Sequence, residues 1–411
     1  MGHAAFQLVR AVTLTDTSGS SRSSPSPPSS TALSRFLGPA ATATASPSRI
    51  LCCTQWRSSI LIGCSDGALL DYRPAGASAS AAADQSAPSA PRVAPGSGGG
   101  YALFARKDGF APSAILRLEI ALPTASAAAS ANAPDSSAIP AAAPAVSAAS
   151  AASGASGAAG VLIALADCVR LAPLPSLEPL TCLPRTAGAT SLAWDAEGGV
   201  LCVSIKRRVL VLRFDGRSAF KEEREFTCPD APRLLALPSP TTLCAATPTK
   251  YLLHHIPPPG TAGSGGSWRD MLPCGQVAPP SVVKLPRGEM LVGKDSIGLF
   301  LDAAGRPLRS HGINWSRPPS HVAVMPPYAL AKLPNYIEVR SLLPGHALVQ
   351  TIPLREHAAL WTPPTFPAAS TGIEGSSSRA AGRSARGVFA VAEESVYIVA
   401  PVSLAAQVRA A

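Results

Sequence analysis

Three short stretches of the 411-residue chain carry residue types at spacings that could do chemistry. Gly63-Cys-Ser65-Asp-Gly67 fits the G-x-S-x-G nucleophile elbow, a strand-to-helix turn that presents a serine with backbone amides aimed at an oxyanion. Here a short apolar strand follows Gly67 and is stopped by Pro74, so no helix can follow and a hairpin turn is expected. Gly288-Glu-Met-Leu-Val-Gly-Lys294 fits G-x-x-x-x-G-K, but Asp295 stands where Ser or Thr would hold magnesium. A carboxylate there repels phosphates, and Glu289–Val292 reads as a strand rather than a cradle loop. His254-His255 ends a strand ahead of three prolines; adjacent strand residues point to opposite faces, so one metal could not easily take both, and exposed loop-edge histidines are expected.

The remaining reactive groups follow the same pattern. Cys52, Cys64, Cys168, Cys202 and Cys244 fall in apolar runs, where free cysteine behaves as a small buried hydrophobe. The nine cysteines contain no C-x-x-C pair, and no histidine has zinc spacing; reduced core thiols are expected, with no metal and no cofactor. Carboxylates such as Asp66, Asp215 and Asp295 lie in turns and are not paired for acid/base work, so no catalytic residue is assigned. Lys206-Arg207-Arg208, the densest basic cluster, reads as an exposed hairpin turn, and 5% aromatics supply too few stacking platforms for nucleic acid.

The elements that would position these residues repeat. A short apolar run, a polar turn of about four residues and a second apolar run recur at Ile60–Tyr72, Val161–Leu171, Val200–Phe214, Leu243–Ile256, Met290–Asp302, Tyr328–Leu342 and Val388–Pro401. The compact neighbours are spaced by about 40–50 residues, the period of a propeller blade. Each hairpin is apolar on both faces and cannot stand alone, so it must be stacked between neighbours; a β-sandwich would not use seven of them. The sequence predicts an all-β, seven-bladed β-propeller over 1–401. The 42 prolines are incompatible with a mostly helical chain.

Four Ala/Ser/Pro-rich stretches, 18–48, 74–100, 124–159 and 368–386, hold too few large apolar side chains to offset backbone ordering and read as disordered insertions in surface loops. No apolar h-region opens the chain, and Phe6 occupies the place that a myristoylation signal gives to Ser or Thr. Ala158–Ala166 is too short to span a bilayer. A cytoplasmic chain is expected. Its formal net charge is +10.

The run from Pro280 to Leu354 resembles the citron homology (CNH) domain of vacuolar sorting subunits of the HOPS and CORVET tethers and of the TGF-β receptor-associated protein. The matching pieces are Glu289–Leu301, Gly305-Arg-Pro, Asn314-Trp315 before Pro318, Pro327–Ala331, Ile337–Ser341 and Leu348–Ile352. Upstream, Ile50-Leu51 with Ile60–Tyr72 resembles the family's first blade and Leu201–Arg207 its middle. The resemblance implies a non-catalytic protein-binding propeller, peripheral on endosomal or vacuolar membranes through partners, and engaging a Rab-type small GTPase or another tether subunit. Residues 402–411 resemble the start of the solenoid helix that follows such propellers, cut short. A citron-type regulatory module of a signalling protein and a propeller hydrolase or lyase are the alternative functions. Trp315, Tyr328 and Val339 are expected to pack in the core. Partner-binding residues are not assigned, because they would lie in turns that share no pattern.

Overall fold

The computed structural model describes residues 6–14, 48–74, 101–122, 160–362 and 387–401, except 179, 217, 259–260 and 262–265. The four tracts expected to be disordered, and the helix start at 402–411, lie outside the described residues apart from their edges; Pro74 is a correction, being the last residue of a strand.

Among the described residues, twenty-eight strands make seven four-stranded antiparallel sheets. β1 (Phe6–Thr13) belongs to the last blade. Blade 1 is β2 (Ile50–Trp56), β3 (Ser59–Cys64), β4 (Leu69–Pro74) and β5 (Tyr101–Lys107). Blade 2 is β6 (Arg117–Ala121), β7 (Gly160–Leu165), β8 (Val169–Leu174) and β9 (Thr181–Cys182). Blade 3 is β10 (Ser191–Asp195), β11 (Val200–Ile205), β12 (Arg208–Phe214) and β13 (Phe220–Thr227). Blade 4 is β14 (Leu234–Ser239), β15 (Thr242–Ala246), β16 (Lys250–His255) and β17 (Arg269–Pro273). Blade 5 is β18 (Val282–Lys284), β19 (Met290–Lys294), β20 (Ile297–Leu301) and β21 (Ile313–Asn314). Blade 6 is β22 (His321–Met325), β23 (Tyr328–Leu333), β24 (Tyr336–Ser341) and β25 (Leu348–Pro353). Blade 7 is β26 (Ala358–Trp361), β27 (Val388–Ala392) and β28 (Ser395–Pro401), with β1 as its outermost strand.

The seven repeated hairpins are the two middle strands of the seven blades. Being flanked within the sheet and covered on both faces, they are buried almost throughout: β3, β7 and β11 hold no exposed residue. Apolar side chains from one blade pack on the next, so a single cluster joins Ile62 of β3 to Ile398 of β28, and another joins Val203 of β11 to Ile163 of β7. The ring is closed by pairing the two ends of the sequence, Phe6 opposite Pro401 and Thr13 opposite Ser395. Each blade therefore covers its neighbours' apolar faces, which is what permits so little charge in the middle strands.

Candidate interaction surfaces

The motifs that resembled catalytic sites are structural. Gly63 is the last residue but one of β3, where an added Cβ would lie 2.7 Å from Ile115, and Gly67 takes φ +80° with space for no side chain beside the Ala111 carbonyl. Both glycines are therefore set by packing and turn geometry. Ser65 lies in the turn and its hydroxyl accepts the Arg49 amide at 2.9 Å. In the G-x-x-x-x-G-K stretch, Met290–Lys294 is β19, a strand as expected. Asp295 accepts the Val277 amide at 2.7 Å and the Ala278 amide at 3.3 Å. The Val277 amide above all, helped by those of Ala278 and Gln276, holds its carboxyl below the ordinary aspartate value against the cost of desolvation. Asp295 thus pins the β17–β18 connection and cradles no phosphate.

His254 and His255 do face opposite ways, but the expectation that both are exposed is corrected. His254 is buried between the rings of Phe226, 4.0 Å away, and Trp268, 4.8 Å away, and only His255 is exposed. The slot forms because β13 of blade 3 and the segment entering β17 supply aromatic walls, a cross-blade juxtaposition that strand alternation alone does not reveal. Burial, and secondarily His255, pushes His254 down to about 4. The cysteine expectation is corrected in part. Cys168 is joined to Cys182, because β8 and β9 are neighbours and the turn brings together residues 14 apart. The other seven are free, and burial raises Cys52, Cys53, Cys202 and Cys244.

The stretch that carried the family resemblance is a joint between blades 5 and 6. Trp315 and Val339 are buried, and Tyr328 is partly buried edge-on to Phe6 at 4.9 Å. Glu338 is fully buried; its carboxylate accepts the Ser316 amide at 3.1 Å and the Arg340 guanidinium. The Ser316 bond ties the residue after Asn314-Trp315 to the Ile337–Ser341 strand, and Arg340, in that same strand, holds the carboxylate in place, so these pieces of the pattern meet in assembly of the ring. Lys332 is likewise buried, its ammonium donating to the Leu333, Pro334 and Leu354 carbonyls at 2.5, 3.2 and 3.0 Å.

What remains for recognition is the two faces of the ring. Antiparallel blades alternate their connections. One face carries the turns between second and third strands and the links between blades; the other carries the first-to-second and third-to-fourth connections. The described residues flanking 75–100, 123–159 and 363–386, and those next to both chain ends, lie on this second face. There Lys284 bridges inner strands two blades apart, donating to Asp195 at 2.7 Å and Glu197 at 3.2 Å. Burial opposes its charge, but the two carboxylates outweigh that and raise Lys284 above the usual lysine value. The grouping of two carboxylates was missed in sequence because its cation lies 87 and 89 residues away. It braces the ring, since both carboxylates are committed to Lys284. Leu308, Leu343 and Leu348 stand exposed on the same face.

The opposite, short-turn face carries Lys206, Arg207 and Arg208, all exposed as expected. Among the described residues no group of three or more His, Cys, Asp or Glu is arranged to hold a metal ion, and no helix is long and apolar enough to cross a membrane.

Comparison with known proteins agrees with this architecture. Residues 158–361 match the model of the CNH domain, so the chain carries a CNH domain and its propeller is a CNH propeller. The chain is 31% identical over 247 residues to vacuolar sorting protein 39 of Arabidopsis thaliana, covering 60% of this chain and 22% of that protein. It is 26% identical over 189 residues to the Vam6/Vps39-like protein of Homo sapiens (44% of this chain, 20% of the relative). It is 30% identical over 206 residues to transforming growth factor-beta receptor-associated protein 1 of Bos taurus (47% and 23%). The chain thus spans about a fifth of the length of these relatives.

Proposed function

We propose that this propeller is the non-catalytic protein-binding module of a membrane-tethering subunit, acting in transport to vacuolar or endosomal membranes. The observation that carries this reading is the 31% identity over 247 residues to vacuolar sorting protein 39. The architecture supports it, since a rigid ring with two broad faces of turns is a scaffold on which loops can recognise partners. The partner in this reading is a Rab-type small GTPase or another subunit of the tether, and the membrane is reached from the cytoplasm as a peripheral association. Three buried charged groups are committed to structure: Glu338 and Asp195 bond across blades and Lys332 bonds carbonyls at the end of its own blade.

The test is recovery of endosomal Rab proteins by the immobilised chain. Preferential recovery of the GTP-loaded form supports the reading. Equal recovery of GDP and GTP forms, or none, removes the GTPase from it.

A further inference from the structure

Within the short-turn face, the sector made by blades 3 to 5 differs from the rest. Lys206 and Arg207 in the β11–β12 turn, Arg233 at the entry to β14, and Arg317 in the β21–β22 connection are exposed. None has a carboxylate within salt-bridge reach among the described residues; Arg207 donates only to the Cys228 carbonyl, at 3.1 Å. The nearby carboxylates are already occupied. Glu225 pairs with Arg185 and with Arg208, and Asp295 is spent on the Val277 and Ala278 amides, which leaves Asp230 as the one exposed acid in the sector without an ion pair. Across the ring, at blades 7 and 1, cations and acids match: Arg49 pairs with Glu393, and Arg106 with Asp66 and Asp108.

On the same face, in the β17–β18 link between blades 4 and 5, stands Val277, 75% exposed, the most exposed of the large apolar residues described. It is not a loose tip. Asp295, itself in the left-handed region at φ 51°, holds the Val277 amide from the β19–β20 turn, and Ile297, 40% exposed, follows in β20. A fixed aliphatic knob on the same face as unpaired cations is an arrangement that can enter the headgroup layer of a membrane while the charges meet anionic lipids. A protein partner would call for a contiguous apolar core with aromatic anchors. The aromatics of this sector, Tyr251, Phe226 and Trp315, are instead buried.

We infer that the short-turn face of blades 3 to 5 docks directly on an anionic lipid surface, Val277 entering the headgroup layer and Lys206, Arg207, Arg233 and Arg317 lying against the anionic headgroups. The contact needs no GTPase, so its test stands apart from the reading above.

The experiment is co-sedimentation of the full chain with phosphatidylcholine vesicles containing phosphatidylserine at about one part in four, at low salt. Pure phosphatidylcholine vesicles are the control. The expected result is binding to the anionic vesicles alone, lost at high salt because the attraction is screened. Neutralising two cations, in the K206Q/R233Q double variant, lowers the partition coefficient about 25-fold, at about fivefold per charge. Val277→Asp lowers it by about tenfold or more, whereas L343D, on the opposite face, leaves it unchanged. All variants should melt with the parent. Equal binding to both vesicle types, no binding to either, or a greater loss from L343D than from V277D overturns the inference; the second of these outcomes would return the face to a protein partner.

Discussion

Acidification should weaken this propeller through His254 in particular. Its ring lies between Phe226 and Trp268, and neither ring nitrogen has a hydrogen-bond partner among the described groups. The indole of Trp268 is fixed by its own bond to the Thr227 carbonyl at 2.8 Å, so it is not free to serve the imidazole. The two flanking rings belong to an apolar cluster with Leu243, Leu252 and Val209, and His255 beside it opposes a second positive charge. The unfolded chain takes up the His254 proton near pH 6.5, while the folded protein resists until about 4. Below 6.5 the unfolded state therefore binds more protons, and stability falls with pH through the window from 6.5 to 4. At pH 5 this difference amounts to about 2 kcal/mol, rising to about 3 kcal/mol at the acid end. For a domain of this size that lowers the melting temperature by about 4 °C between pH 7.5 and pH 5. The assay compares thermal melts of the parent and of His254→Leu across that range. The variant should match or slightly exceed the parent at pH 7.5, because it removes buried polar atoms without partners. It should lack this component of the acid loss. Parallel pH profiles for the two proteins would refute the argument, because other titrating groups, such as the similarly desolvated His321, are common to both.

Trp315→Ala should cost about 3–5 kcal/mol, measured by denaturant unfolding, since a buried indole at the blade 5–6 joint leaves a cavity; an unchanged midpoint would contradict its placement. Glu338→Ala should cost a similar 3–5 kcal/mol by stranding the Arg340 guanidinium and the Ser316 amide, and the E338A/R340A double variant should lose less than the sum of the singles. Neutralising Lys206, Arg207 and Arg208 together should leave stability within about 0.5 kcal/mol, because all three are exposed, two in the turn and Arg208 at the start of β12; a larger loss would mean that the turn has a packing role.

The seven hairpins were legible because the middle strands of a blade are buried on both faces. Ile60–Tyr72 and Val200–Phe214 carry that burial as continuous apolar runs. The outer strands were not legible. β13, Phe-Lys-Glu-Glu-Arg-Glu-Phe-Thr, reads as a polar surface segment, and β9 and β21 have two residues each. The cross-blade groupings escaped for a different reason. Lys284 with Asp195, His254 with Trp268 and Phe226, and the joined Cys168–Cys182 pair depend on which strands the ring places side by side, and local periodicity holds no record of that. The Trp315 and Glu338 region was visible through the resemblance alone; the structure adds that its residues are spaced to lock one blade to the next.

The outer rim explains why recognition falls to the faces. Edge strands are ready templates for another chain, and bulges or brevity blunt them. Here every outer strand is blunted one way or the other: β1, β5, β13, β17 and β25 each pair with a register shift, and β9 and β21 are two residues long. β5 is the exposing case, because its centre, Ala102-Leu-Phe-Ala105, is apolar and lacks the charges that additionally guard β13. Its safeguard is Phe104, which is skipped between the Asp71–Ala105 and Tyr72–Leu103 pairs and whose ring is covered by the Arg73 guanidinium at 3.3 Å. Deleting Phe104 would make the two pairs consecutive and leave a regular apolar edge. The blade should persist, but the protein should form concentration-dependent oligomers by light scattering, because the unpaired backbone of β5 would then meet its like. A folded ΔPhe104 protein that stays the parent's size at every concentration would mean that the bulge does not guard the edge, and the argument that partners are confined to the faces would lose its support.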